Sequence, residues 1–271
     1  MALLNLNFCS SVLGMNTEAA VFLPERRGNP HTLIGDKKYP VLYLLHGHMQ
    51  DYSSWIRNSM LEHYLSNSDL IVVMPNGEQS FYSDAVHGLK YFTYLTEELP
   101  NVVRNWFPSS DKREDNYVAG LSMGGYGAFK LALRRPDLFC GAASLSGCMF
   151  ARALPYGTPP LDPDKAQGFP TNPNIKSVME NTMGKMEDYK GSFNDLEAAV
   201  MDIIKEGKPR PKLFQCIGTE DYLYEDNETF RHFMQNEGGS FDYSYLEWKG
   251  RHDWKFWDQA ILKALEHFQL T

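Results

Sequence analysis

Residues 39–45 and 70–74 are apolar almost without interruption, Tyr-Pro-Val-Leu-Tyr-Leu-Leu and Leu-Ile-Val-Val-Met. A strand with one wet face alternates apolar and polar residues; an unbroken run marks a strand covered on both faces. Such strands need helices above and below them. Further strand candidates stand at 117–121, 141–145, 212–217 and 241–248. Helical stretches stand at 54–66, 89–107 (where Pro100 marks a break or kink), 124–135, 222–235 and 253–268. This alternation predicts an α/β fold with a mostly parallel sheet. At the N-terminal end Leu4, Leu6 and Phe8 alternate with Asn5 and Asn7, a period of two. Residues 2–13 and 17–23 read as two strands around the turn Gly14-Met15-Asn16, which brings the sheet to eight strands. A polar loop follows at 25–38.

Composition excludes more than it identifies. Lys plus Arg number 26 and Asp plus Glu 34, for a net charge of −8; nucleic-acid partners want the opposite sign. No apolar run is long enough for a membrane span. Cys9, Cys140, Cys148 and Cys216 form no CxxC pair, and in a large, Cys-poor chain they are expected as reduced, mostly buried thiols. The first residues lack the basic and small-residue features of a signal peptide, so a cytoplasmic protein is expected.

Gly120-Leu121-Ser122-Met123-Gly124 fits G-x-S-x-G. At average residue usage the pattern arises by chance in roughly one chain of this length in ten, so its weight comes from context. A strand ends at Leu121 and a helix opens at Gly124, which is the strand–turn–helix setting of a nucleophile elbow. Gly120 and Gly124 let strand and helix approach, and the turn lifts the Ser122 hydroxyl over the helix N-terminus. A serine needs a base. In this arrangement the chain order is Ser, acid, His. Of the later histidines, His232 and His267 lie inside helical stretches. His252 follows the last strand, where a sheet presents catalytic groups, and is the expected base. Glu220 and Asp221 both follow the strand at 212–217; the G-x-x-D spacing from Gly218 favours Asp221. Glu220, Glu225 and Asp226 are expected as solvated charges. The oxyanion-hole donors are expected to be the backbone N–H groups of Met123 and of His48, in the loop His46-Gly47-His48-Met49. The same His-x-His pair, with Asp51 near, could suggest a metal, but Gln50, Asp51 and Tyr52 stand where further ligands would be wanted, so no metal is expected.

The sequence resembles the esterase D-like branch of the α/β-hydrolases, and within it the bacterial tributyrin esterase type. The resemblance rests on Leu44-Leu45-His46-Gly47, Ser54-Trp55, Ile71-Val72-Val73-Met74-Pro75-Asn76, Tyr82-Ser83-Asp84, Glu97-Glu98-Leu99-Pro100, the elbow through Gly127, Gly218-Thr219-Glu220-Asp221-Tyr222-Leu223-Tyr224 and His252-Asp253-Trp254. It implies a carboxylesterase for short acyl esters, without a cofactor, whose triad falls on Ser122, Asp221 and His252. Some relatives are S-formylglutathione hydrolases, feruloyl esterases or deacetylases of sugar esters, and relatives are often oligomers, so a homo-oligomer fits. An acyltransferase and a non-catalytic ligand-binding member are the further alternatives. Gly47, Trp55, Tyr82 and Trp254 are candidate pocket residues. Tyr82 and Asp84 could equally brace their loop, and core burial suits both tryptophans.

Dividing 271 residues by a typical domain length gives about 1.8 domains. The expected triad members lie on both sides of a Pro-rich stretch at 148–193, so a single domain over 1–271 is expected, with that stretch as a cap-like insertion. The basic residues Lys205, Lys208, Arg210 and Lys212 are interrupted by Glu206 and prolines and read as a solvated loop.

Overall fold

Among the described residues, eight strands form one sheet in the computed structural model. They are β1 (Ala2–Ser10), β2 (Met15–Leu23), β3 (Val41–Leu45), β4 (Ile71–Pro75), β5 (Asn116–Leu121), β6 (Gly141–Leu145), β7 (Lys212–Gly218) and β8 (Tyr243–Trp248). The helices are α1 (Ser54–Asn58), α2 (Leu61–Tyr64), α3 (Tyr91–Thr93), α4 (Leu99–Trp106), α5 (Met123–Arg134), α6 (Ile175–Met183), α7 (Leu196–Glu206), α8 (Tyr224–Glu237) and α9 (Trp254–His267). All residues are described except 26–36, 153, 155, 160–163 and 165–173. Most of the loop expected at 25–38 and much of the Pro-rich stretch therefore lie outside the described residues.

The apolar runs divide by parity, because successive strand side chains point to opposite faces. Val41, Tyr43, Leu45, Ile71 and Val73 join one buried cluster with Val103 of α4, Phe129 and Leu133 of α5, and Val200 and Ile203 of α7. Leu42, Leu44, Val72 and Met74 join the other, with Trp55 of α1, Leu61 of α2 and Phe256, Ile261 and Leu265 of α9. Helices thus cover both faces. Each fully buried side chain of this kind contributes about 1.5–3 kcal/mol.

The strand order is β1-β2-β4-β3-β5-β6-β7-β8. β1, β2 and β4 pair antiparallel; every other neighbouring pair is parallel. The chain moves from β3 out to β4 and then crosses back to β5 on the other side of β3. That reversal opens a crevice beyond the carboxyl ends of β3 and β5, where α/β sheets present ligand-binding groups. Leu45 and Gly120 are register partners at its floor.

Tertiary contacts move several expected boundaries. The β1–β2 turn spans residues 11–14 and Met15 already belongs to β2. Glu98 holds that turn: its carboxylate accepts the Ser10 hydroxyl and the Ser11 N–H at 2.6 Å. The helix expected at 54–66 splits into α1 and α2, with the Asp258 carboxylate accepting the Met60 N–H at 2.7 Å between them. The stretch at 89–107 becomes α3, a wider π turn over Tyr94–Glu98, and α4. Pro100 has no N–H to donate to the carbonyl of Thr96, one helical turn back; Arg135 Nη1 donates to it instead, at 3.3 Å. α7 was not anticipated, and it takes in Lys205, which was expected in a loop. It buries Leu196, Ala199, Val200 and Ile203, and the Asp195 carboxylate caps it by accepting the Glu197 N–H at 3.0 Å. All four cysteines are free; Cys216 is buried, Cys140 and Cys148 half-buried, Cys9 exposed. No helix among the described residues is long and apolar enough to cross a membrane.

Replacing Glu98 by Ala should lower the unfolding free energy by about 2 kcal/mol, a typical loss for hydrogen bonds to a charged acceptor. Urea denaturation measures this, and hydrogen exchange should show faster exchange at Ser11 and Val12.

Candidate active site

Ser122 sits between β5 and α5 with φ 53° and ψ −118°. A non-glycine residue holds such a conformation only when its surroundings over-determine it. Here they do. A Cβ on Gly120 would lie 2.4 Å from the Gly124 carbonyl oxygen, and one on Gly124 would lie 2.6 Å from that of Leu45. The strand, the helix and the end of β3 meet with no side chain between them. Ser122 N–H donates to the Leu145 carbonyl at 2.9 Å, which ties the elbow to β6.

His252 reaches the elbow from the loop after β8. Its Nε2 lies 2.9 Å from Ser122 Oγ. Its Nδ1 lies 3.0 and 2.9 Å from the two carboxylate oxygens of Asp221. The Asp221 side chain is fully buried and that of His252 is 10% exposed. Asp221 also accepts the Leu223 N–H at 2.8 Å, which fixes the carboxylate. The His252 ring packs against Tyr222 at 4.3 Å and the edge-on Trp257 at 4.9 Å. A carboxylate on Nδ1 keeps the proton there and leaves Nε2 free to accept one from the serine. Glu220, the other candidate acid, turns away to Arg251 at 3.1 Å.

The loop after β3 is held from within. Gly77 N–H donates to His46 Nε2 at 2.9 Å, so His46 carries its proton on Nδ1 and donates it to the Gly47 carbonyl at 2.8 Å. Both ring nitrogens are thereby engaged within the protein, which leaves no free one for a metal. Tyr82 O–H donates to the His46 carbonyl at 2.7 Å. No backbone carbonyl among the described residues accepts from His48 N–H or Met123 N–H.

A cavity of about 160 Å³ opens at Ser122. Among the described residues its wall includes His48, Phe81, Cys148, Phe150, Met179 and Tyr222. Gly47, Trp55, Tyr82 and Trp254, expected as candidate pocket residues, are not in that wall. Gly47 has no room for a Cβ, which would meet Leu121 at 2.5 Å. Trp55 is buried and donates its Nε1–H to the Leu45 carbonyl at 3.0 Å; Trp254 packs edge-on against it at 5.2 Å. Tyr82 is buried between Gly77 and Gly127. These residues support the site from behind. Asp84 braces its own loop, accepting the Thr93 N–H at 2.9 Å. Apart from His48 and from Met179 of α6, the wall residues named come from irregular segments with no periodic pattern, which is why the sequence did not point to them. Two supposedly solvated charges are also engaged: Asp226 accepts backbone N–H groups and Glu225 pairs with Arg152. Cys148 Sγ lies 4.0 Å from Ser122 Oγ. Burial pushes its thiol up to about 12, so it is neutral and no rival nucleophile.

The family model Esterase, described as "Putative esterase", matches residues 10–268. The chain belongs to this family. An acetyl esterase from Caldicellulosiruptor saccharolyticus is 30% identical over 269 residues, spanning 98% of this chain and 97% of that one. Two solved structures from Staphylococcus aureus are each 32% identical and match 98% of either chain. They are the fluorophosphonate-binding serine hydrolase FphF in its substrate-bound form, TM-score 0.84, and the S-formylglutathione hydrolase FrmB as apoenzyme, TM-score 0.82. The esterase thus has the α/β-hydrolase fold and is an ester hydrolase.

Burial lowers the pKa of His46 in this esterase from 6.5 to about 4, against the opposing pull of the Gly47 carbonyl. Above pH 6.5 both folded and unfolded chains hold this imidazole neutral and its contribution to stability is complete. As pH falls from 6.5 towards 4 the unfolded chain takes up a proton that the folded one refuses. The loss should approach about 3 kcal/mol. Urea denaturation across that range should show a shallower acid decline for His46→Asn than for the wild type.

Proposed function

We propose that this esterase hydrolyses short-chain acyl esters through an acyl-enzyme on Ser122, with His252 as general base and acid and Asp221 as its orienting partner. The observation that carries this is the unbroken line from Ser122 Oγ through both ring nitrogens of His252 to the buried Asp221. His252 Nε2 takes the hydroxyl proton as Oγ attacks the ester carbonyl. The tetrahedral oxyanion is held by the His48 and Met123 N–H groups, and the N-terminus of α5 favours its charge. Collapse expels the alcohol, which takes the proton from His252. Water then repeats the sequence, with His252 as base, and frees the acid. Asp221 keeps the imidazole in the competent tautomer and stabilises the imidazolium without taking its proton.

A preference for short acyl groups is supported by the small cavity at Ser122 and by the acetyl esterase among the relatives. S-formylglutathione, ferulate esters and acetylated sugars remain the alternative substrates. A cytoplasmic setting is part of the same proposal, supported by the four free thiols.

Ser122→Ala should leave thermal unfolding unchanged and reduce turnover of p-nitrophenyl acetate by roughly 10⁴-fold or more. Asp221→Asn should cost about 10⁴-fold in kcat, because the imidazole then adopts the wrong tautomer. Near-wild-type turnover in Ser122→Ala would overturn the assignment. A panel of p-nitrophenyl esters of rising acyl length, with methyl ferulate, an acetylated sugar and S-formylglutathione, should show a steep fall beyond short acyl groups.

A further inference from the structure

Three consecutive residues at the start of α8 grip the segment that leaves β6 beside the nucleophile. Asn227, fully buried, donates from Nδ2 to the Gly147 carbonyl at 2.8 Å, and its own Oδ1 accepts from Gln215 at 2.9 Å. Asp226 accepts the Phe150 N–H on one carboxylate oxygen at 2.8 Å and the Arg152 N–H on the other at 3.1 Å. Glu225 pairs with the Arg152 guanidinium. The segment is irregular; the Ser146 and Cys148 N–H groups donate to the Cys216 and Ser122 carbonyls at 2.8 and 3.3 Å, and beyond Cys148 the α8 side chains hold its path.

One of the residues so held is also strained. Phe150 has φ 54°, a conformation that L-residues other than Asn and Asp seldom adopt unless their surroundings impose it. Its ring is the hub of an aromatic cluster: Tyr126 at 5.2 Å, Tyr189 at 5.6 Å, Phe81 at 5.8 Å and Tyr156 at 5.9 Å. The same ring lines the cavity at Ser122, as does Asp226. Without the bidentate carboxylate two backbone N–H groups lose their acceptor, and the strained φ loses the bonds that hold it.

We propose that Asp226 sets the size limit on the substrate group the cavity accepts, by holding Phe150 in its left-handed conformation as a wall of that cavity. Asp226 is a positioning residue in this scheme and Phe150 determines specificity. The inference rests on the proposed esterase reaction at Ser122.

The test uses the full-length wild type, Phe150→Ala, Asp226→Asn and the double variant. Each is assayed on two series: p-nitrophenyl esters of rising acyl length, and acetates of rising alcohol size. Phe150→Ala should raise the ratio of kcat/KM for the larger over the smallest member by about tenfold or more in one of the series. Asp226→Asn should move the same ratio in the same direction. The double variant should match Phe150→Ala within about twofold, because there is then no ring left to position. A merely structural role would lower both substrates alike and leave the ratio unmoved. A flat ratio in Asp226→Asn, a flat ratio in Phe150→Ala, or a double variant whose shift is the product of the two single shifts would each overturn the inference. Should Asp226→Asn not fold, Asp226→Glu, which keeps an acceptor but displaces it by a methylene, carries the same expectations. Labelling of Ser122 by a fluorophosphonate separates the two levels. A wild type that neither labels nor turns over esters overturns the proposed function, whereas an active wild type with unmoved ratios overturns only this inference.

Discussion

The site depends on one close approach: β3, β5 and the start of α5 meet at Gly120 and Gly124 with no side chain between them. The gaps are too small for even a Cβ, which would come within 2.4–2.7 Å of backbone oxygen. That contact forces Ser122 into a conformation of positive φ and presents its hydroxyl at the mouth of the crevice created by the reversal of strand order. Everything else in the site is arranged about that point. The loop after β7 brings a buried carboxylate, the loop after β8 brings the imidazole, and the loop after β3 passes beside them with the His48 N–H, which has no backbone acceptor among the described residues. Parallel pairing makes this convergence possible, because it places the carboxyl ends of β3, β5, β6, β7 and β8 on one side of the sheet.

Loops that carry chemistry must be as well fixed as the strands that deliver them, and here buried polar groups do this. His46 spends both nitrogens on its own loop and on Gly77, and Tyr82 holds the His46 carbonyl. Behind them Lys130 of α5 is fully buried. It donates to Ser83 Oγ and Asn194 Oδ1, and three aromatic rings, of Phe92, Tyr126 and Phe193, lie within 5.6–5.8 Å. Burial drives its pKa well below the ordinary value, against the opposing pull of the Asp84 carboxylate, as expected of a cation taken out of water. Asn194 passes the connection on, donating from Nδ2 to the Met183 carbonyl at the end of α6. One lysine therefore ties the Tyr82 loop to the segment that covers the cavity.

Much of the framework could be read in the chain. The unbroken runs in β3 and β4 required two covering layers, and the elbow glycines announced where backbone segments would meet. Residues 122, 221 and 252, chosen by chain order and by position after successive strands, do form a line in which residue 252 lies within hydrogen-bond distance of each of the other two. Some errors had a signal that could have been used. Leu196, Ala199, Val200 and Ile203 have helical spacing between a capping Asp195 and Gly207, the pattern that marks α7. Others had none. Nothing local in Glu225 or Asp226 distinguishes a charge in water from one that holds a distant backbone segment. Asp258, which accepts the Met60 N–H at the break between α1 and α2, lies about two hundred residues further along the chain.

What the sequence determined alone is therefore what depends on period and on near neighbours: strand burial, the order of elements, the elbow and the candidate nucleophile, base and acid. These follow from steric and hydrophobic rules that act over a few residues. What only the tertiary structure decided is which side chains face the cavity. Gly47, Trp55, Tyr82 and Trp254 are close to the site in the chain yet support it from behind, whereas Phe81, Cys148, Phe150, Tyr222 and Asp226 form its wall. That distinction turns on the direction of side chains in irregular segments and at the starts of α1, α8 and α9. Contacts between residues far apart in sequence set it, and no local pattern encodes them.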